Sequence, residues 1–517
     1  MNKTLTLKDL QATSVDWPGP IEAAVRRWAA GSHRDKVALD GPAGSLTFGE
    51  LDRVADALAH HLQKAGVDDG QVVAVLADRV AELIPALLGI LRAGAIFSVI
   101  DKTYPATRIL QMLDTVQPVA IIDVGNTPSP EYPARRLTLP GLHTEALRDL
   151  LLNEGAIPLA GREVGPDDPA CVTFTSGSTG VPKGVVGRQS GLTAFLPWLA
   201  ETFEIGPGDT VSLLSGLAHD PLQRDIFTAW WTGARVAVPP TDVFDLPGAM
   251  GCWLAETEVT VANLTPSMLR LLTFGAGSEL PLLRRVFTVG ETLRAADVLA
   301  LRAVAPNAEV INLYGATETQ RALAHHRIPP HVTPADPIPL GTASPGMEVL
   351  VLRPDSSPAD VGETGAVWIK SAYLALGYLN DAAATQAVFQ TDLDGDRRYR
   401  TGDMGRRLAD GSVVFAGRQD RQVNVRGYRV ELGEIEAAAE RLGNVVSARA
   451  VWLEERGQIV LFAIPRGNTL EREVTADLAR ALPSYMRPAR VRDLQTFPLT
   501  PNGKVDECAL RNAAGGA

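Results

Sequence analysis

Short apolar runs rich in β-branched residues alternate with helix-patterned stretches through the first four hundred residues, and that order suits an open, largely parallel sheet. Residues 72–76 read as a strand, 81–92 as a helix, 95–100 as a second strand and 120–122 as a third; further strands fall at 211–214, 234–238, 259–264, 285–289 and 309–312. From about residue 340 the strands become shorter and turn-separated, as at 348–352, 365–369 and 412–416, which predicts a smaller β-rich subdomain. After Gly417-Arg418-Gln419-Asp420 a compact α+β tail is expected, roughly a hundred residues long and large enough to be a small domain. The fold class is therefore α/β: a large N-terminal part of layered βαβ units with a β subdomain (1–419), then a small α+β C-terminal domain (420–517), with the hinge expected at Asp420. With 517 residues the chain is too long for one hydrophobic core, and its 45% hydrophobic content can fill several.

Forty-nine Lys and Arg against 60 Asp and Glu give a net charge of −11, without a large basic block for a nucleic-acid backbone. Three cysteines, Cys171, Cys252 and Cys508, show neither CxxC nor Cys/His spacing, so neither a disulfide framework nor a structural zinc site is indicated. No apolar run is long enough to span a bilayer, and the first residues lack an apolar signal segment; a cytoplasmic location without membrane attachment is expected.

Residues 173–187 read Thr-Phe-Thr-Ser-Gly-Ser-Thr-Gly-Val-Pro-Lys-Gly-Val-Val-Gly. Gly177, Gly180 and Gly184 let a backbone approach an anion closely, Ser176, Ser178 and Thr179 can donate to it, and Lys183 adds positive charge. A Ser/Gly surface loop has a similar composition, but Pro182-Lys183-Gly184 followed by Val185-Val186 argues for a fixed turn between two strands. The P-loop pattern cannot be laid over it. A second cluster, Asn312-Leu313-Tyr314-Gly315-Ala316-Thr317-Glu318-Thr319, closes an expected strand, where open α/β sheets place ligands. Thr317 and Glu318 could hold a metal on nucleotide phosphates, and Tyr314 offers a flat face to a base. A third, Tyr399-Arg400-Thr401-Gly402-Asp403, reads as a tight turn after a strand, its aspartate able to accept from ribose hydroxyls.

These clusters, in this order, with Gly377-Tyr378-Leu379-Asn380, Gly417-Arg418-Gln419-Asp420, Arg426-Gly427-Tyr428-Arg429-Val430-Glu431 and Pro501-Asn502-Gly503-Lys504-Val505-Asp506, resemble the motifs of the adenylate-forming superfamily, from Leu46-Thr47-Phe48 to Lys504. The resemblance implies that Thr175 to Lys183, including Gly177, Ser178, Thr179 and Gly180, wrap the phosphates of ATP. Tyr314, Gly315, Thr317 and Glu318 would hold adenine, phosphate and Mg2+, Asp403 the ribose, and Arg418 would assist near the nucleotide. Lys504 would reach the substrate carboxylate and the α-phosphate, where an ammonium stabilises the crowded oxygens. Three positions depart from the pattern: Arg188 for a histidine, Asn424 for a lysine and Ala316 for a proline.

Within the superfamily, adenylation domains of peptide synthesis carry an aspartate that pairs with the substrate ammonium. The matching stretch here is Ala218-His219-Asp220-Pro221-Leu222-Gln223-Arg224-Asp225, with His219 in the aromatic place. A buried carboxylate needs a cationic partner, which favours an amino acid over a fatty acid; Asp220 could instead cap the following helix. The matched pocket is Asp220, Pro221, Leu222, Arg224, Asn263, Phe287, Val289, Gly290, Leu313, Arg321 and Ala322, with Leu222 expected to limit side-chain length and Arg321 either reading a second carboxylate or neutralised by Asp225 or another acid. The His-Asp-Pro variant with Gln320-Arg321 resembles freestanding enzymes that activate β-amino acids and also α-aminoadipate reductases. The chain's end at Ala517, soon after Lys504, fits the freestanding kind. The expected activity is ATP-dependent formation of an aminoacyl-AMP, from a short β-amino acid or, second, an acidic amino acid, and transfer to the phosphopantetheine of a separate acyl or peptidyl carrier protein. Acyl-CoA ligation and a catalytically silent nucleotide-binding protein are the alternatives.

Overall fold

The computed structural model describes residues 17–138, 163–177, 181–274, 279–320, 322–392, 395–467, 471–500 and 505–515. The roles expected for Ser178, Thr179, Gly180, Arg321 and Lys504 fall on residues outside these.

Two large sheets form the N-terminal part. In the first, strand Val72–Ala77 is buried along its whole length between parallel neighbours Ile96–Asp101 and Ala120–Val124, as its unbroken apolar sequence requires. The crossover helix Leu83–Arg92 is likewise buried throughout. The opposite flank of this seven-stranded sheet is an antiparallel hairpin, Pro169–Thr175 with Lys183–Arg188, and Thr175 faces Lys183 across the pair. The phosphate-loop sequence is therefore the turn between two strands, as expected. A Cβ on Gly177 would stand 1.9 Å from the carbonyl oxygen of Val181, so a glycine is needed where the loop folds back.

The second sheet has nine strands, with Thr210–Ser212, Val261–Leu264, Arg285–Thr288 and Glu309–Gly315 parallel at its centre. Their carboxyl ends deliver Ser215, Thr265, Val289 and Thr317 to the crevice, the place where such sheets bind ligands. A five-stranded antiparallel sheet built around Thr364–Ser371 and Arg397–Arg407 follows. Here one expectation is corrected: Asp403 lies inside the eleven-residue strand Arg397–Arg407 rather than in a turn after a strand. Gly402, at φ +80°, and a register shift between Asp403 and Gly405 kink that strand without ending it.

The C-terminal part has its own hydrophobic core, drawn from Val425 to Val491. It consists of a hairpin, Gln422–Val425 with Tyr428–Glu431, the helix Leu432–Glu440, and a three-stranded sheet covered by helix Glu471–Ala481. No helix among the described residues is long and apolar enough to cross a membrane.

Candidate active site

The central cavity, 170 Å3, lies where the two large sheets, the β subdomain and the C-terminal hairpin meet. Its walls include Thr175, Ser176, Tyr314, Thr317, Asp403 and Arg418 on the expected nucleotide side. Asp220, Arg224, Val289, Leu313 and Ala322 line the expected substrate side, with Gly290 and Gly315 also in the wall.

Asp220 begins the helix Pro221–Thr232, yet its side chain makes no cap hydrogen bond there. Its Oδ1 instead accepts the hydroxyl of Thr317 at 2.9 Å, tying the substrate side to the turn expected to hold phosphate and metal. The helical phase explains the rest of this face. Positions 220, 221 and 224 look into the cavity, whereas Leu222, 1% exposed, joins Ile226 and Trp230 in the core on the opposite side. Leu222 thus cannot gate side-chain length by contact, which corrects its assignment as a pocket residue. Phe287 is likewise a core residue, packed edge-on against Phe203 at 5.0 Å, and does not line the cavity.

A buried polar cluster underlies the substrate side. Asp225, with no exposed surface, accepts the backbone N–H of Ser215 and the amide of Asn263, both at 2.9 Å. Burial carries its carboxyl up to about 6, against the Ser215 hydrogen bonds and the charge of Arg224. Arg224 is 4% exposed and its Nε finds no hydrogen-bond partner among the described residues. Since the folded-state value of Asp225 lies above its unfolded one near 4, the group favours folding at low pH, and that contribution is lost as pH rises to 6 and beyond. Asp225→Asn should abolish this dependence: the stability difference between wild type and variant should change by ~3 kcal/mol between pH 4 and 7, against the wild type as pH rises. Denaturant titrations of both proteins across that range check it; a difference flat with pH would contradict it.

His219 stands beside Asp220 with its Nε2 3.2 Å from the hydroxyl of Tyr104. Burial, aided by the charge of Arg108, pushes its imidazole down to about 4, so it is neutral at pH 7. It also lines a second cavity of 250 Å3, together with Asn263, Thr265, Val289, Gly427 and Tyr428. The two cavities share His219, Pro221, Val289 and Gly427.

On the nucleotide side, Asp403 accepts the hydroxyl of Tyr314 at 2.6 Å and pairs with Arg418. Burial holds both the Asp403 carboxyl and the Tyr314 phenol above their usual ranges. Arg418 also donates to Asp420 through Nε at 2.7 Å, so the residue expected at the hinge is held by one that lines the site. Glu318, 1% exposed, accepts the hydroxyl of Tyr378 at 2.7 Å and ion-pairs with Arg429 at 3.2 Å. Lys183 places its ammonium 5.3 Å from the ring centre of Tyr378. Neither Glu318 nor Lys183 lines the cavity itself.

Sequence reading gave no role to Arg108, Tyr104, Tyr485 or Glu434, all of which bear on the site. Arg108 carried a signal: a cation on the same helical face as Met112 and Val116 in an otherwise apolar stripe. Within the C-terminal part Tyr485 stacks in parallel on Tyr428 at 4.0 Å, and docking of that part places Tyr428 edge-on to His219 at 4.6 Å.

The family model described as AMP-binding enzyme matches residues 25–379, and that of the AMP-binding enzyme C-terminal domain matches 434–504. The chain is 34% identical to an L-2-aminoadipate reductase of Schizosaccharomyces pombe over 92% of its length, and spans 39% of that protein. It is 33% identical to one of the plipastatin synthase subunits of Bacillus subtilis, covering 93% of this chain and 19% of that one. Among solved structures, holo-PA1221, a nonribosomal peptide synthetase (NRPS) protein with adenylation and PCP domains, superposes with a TM-score of 0.81 at 27% identity, covering 95% of this chain and 84% of that one.

Proposed function

From the premise that this chain belongs to the AMP-binding enzyme family and is an AMP-forming ligase, we propose that it activates an amino acid bearing a second carboxylate and passes it to the phosphopantetheine thiol of a carrier protein. The observation that carries the amino-acid reading is a carboxylate in the wall of the substrate side. Asp220 lines the cavity there and is turned towards Thr317 rather than used as a helix cap; it already lies in the field of Arg224, and an ammonium entering the cavity would meet its carboxylate directly. Arg224 in the same wall is a cation suited to a second carboxylate; Arg321, which lies outside the described residues, is the second candidate that the sequence offers. The likeness to aminoadipate reductases supports the same substrate class. With Leu222 in the core, one reason to expect a short side chain falls away.

In this reading Asp220 holds the ammonium and, through Thr317, sets the substrate against the nucleotide. Asp403 and Tyr314 bind the ribose and base, and Lys183 and the phosphate loop hold the triphosphate. Glu318 fits a magnesium ion: it is a single buried carboxylate already holding a cationic group, and Mg2+ binds through one or two carboxylates plus phosphate oxygens. Bound there, the ion would neutralise charge on the departing pyrophosphate. Lys504 would move in on the C-terminal domain, turning about Asp420, for adenylate formation. The second cavity, between the core and the docked hairpin, supports the arrival of a slender thiol-bearing arm beside His219.

Pyrophosphate exchange across α- and β-amino acids with and without a second carboxylate tests the substrate. Preference for the dicarboxylic members, lost on replacing Arg224 or Arg321, is expected. Exchange confined to short β-amino acids would overturn it and favour the kinship suggested by His219-Asp220-Pro221. Acyl transfer to a holo carrier protein but not to free coenzyme A is expected for the second step; turnover with coenzyme A alone would contradict it.

A further inference from the structure

Among the described residues, the hydrogen-bond partners of Ser176 and Gly177 at the start of the phosphate loop come from the C-terminal domain. The hydroxyl of Ser176 donates to the carbonyl of Arg429 at 2.8 Å and accepts the N–H of Glu431 at 3.1 Å. Gly177, whose N–H stands at the start of the loop, donates to Oε2 of Glu434 at 3.2 Å. The other oxygen of Glu434 pairs with Arg108, which lines the cavity and is 5% exposed. The Nε of Arg108 has no partner among the described residues. One fully buried carboxylate is thus seated between a loop amide and a buried guanidinium, and that pair of donors is what a phosphate oxyanion takes.

We propose that Arg108 binds the β/γ-phosphate portion of ATP, and that Glu434 stands in for that phosphate when the C-terminal domain is docked as here. The inference rests on the AMP-forming reading and adds to it a binding residue outside the nucleotide motifs. The cationic side has its counterpart: Arg429 occupies Glu318, the carboxylate suited to magnesium. The docked segment therefore fills an anion seat with an anion and a cation seat with a cation. Nucleotide phosphates and Glu434 compete for Arg108 and Gly177, and loss of pyrophosphate vacates the seat that Glu434 takes.

The two partners of one ion pair should then respond in opposite directions. In ATP–pyrophosphate exchange by the full chain, Arg108→Gln is expected to raise the KM for pyrophosphate about tenfold or more, the loss of one charge-assisted hydrogen bond, with Arg108→Lys intermediate. Glu434→Gln is expected to lower that KM, by weakening the competitor, and to slow acyl transfer to the thiol. If the pair is merely a structural clamp, both substitutions release the docked segment and move the KM the same way; that result, or an unchanged KM in both Arg108 variants, overturns the assignment. Absence of exchange in the wild type with every amino acid would instead sink the ligase reading itself. Melting temperatures of the Arg108→Lys and Glu434→Gln proteins separate binding effects from misfolding.

Discussion

Asp220→Asn should lower kcat/KM for the amino acid in pyrophosphate exchange by ~10^2-fold or more, because a buried substrate ammonium left without its counter-charge costs about 3–5 kcal/mol. Asparagine can still accept the Thr317 hydroxyl, so the hydrogen bond at 2.9 Å survives while the charge does not. The substitution therefore isolates the electrostatic part. Activity with the same acid lacking its amino group should not fall, since that acid gains nothing from the charge. Retention of amino-acid activation near wild-type levels would remove Asp220 from the substrate site.

Lys504→Ala is expected to reduce adenylate formation by ~10^2–10^3-fold, the usual consequence of deleting one preorganised group that meets developing charge. Transfer of a preformed aminoacyl-AMP to the thiol should be spared, because in the docked arrangement the hairpin residues Gly427 and Arg429 line the cavity. Single-turnover measurements of each half-reaction check this. An equal loss in both halves, or a much earlier melt with full activity per folded molecule, would make the lysine structural.

The sequence carried the architecture because burial leaves few choices: Val72–Ala77, short, rich in valine and apolar at every position, suits a strand covered on both faces, while the longer apolar stretch Leu83–Arg92 suits a buried helix. It carried the phosphate loop, since Gly177 is required by a backbone contact that no side chain tolerates. The substrate pocket was legible only in part. Matching positions along the chain finds the right helix but not its phase, and a rotation of about 100° per residue separates Asp220, in the cavity, from Leu222, in the core. Asp403 was placed in a turn because Thr-Gly-Asp reads as one; pairing with Arg418 across the sheet kept it in the strand. The contacts of Arg108 with Glu434 and of Ser176 with Arg429 join residues more than 250 positions apart. They arise from how two folded parts meet, and no local pattern encodes that.

The most direct measurement is ATP–pyrophosphate exchange by the purified chain with two matched acids, a dicarboxylic amino acid and the same carbon skeleton without its amino group. Exchange with the first and little with the second is the predicted result, tying AMP formation to the ammonium that Asp220 is placed to hold. Equal exchange with both, or exchange only with the acid that lacks the amine, would contradict it.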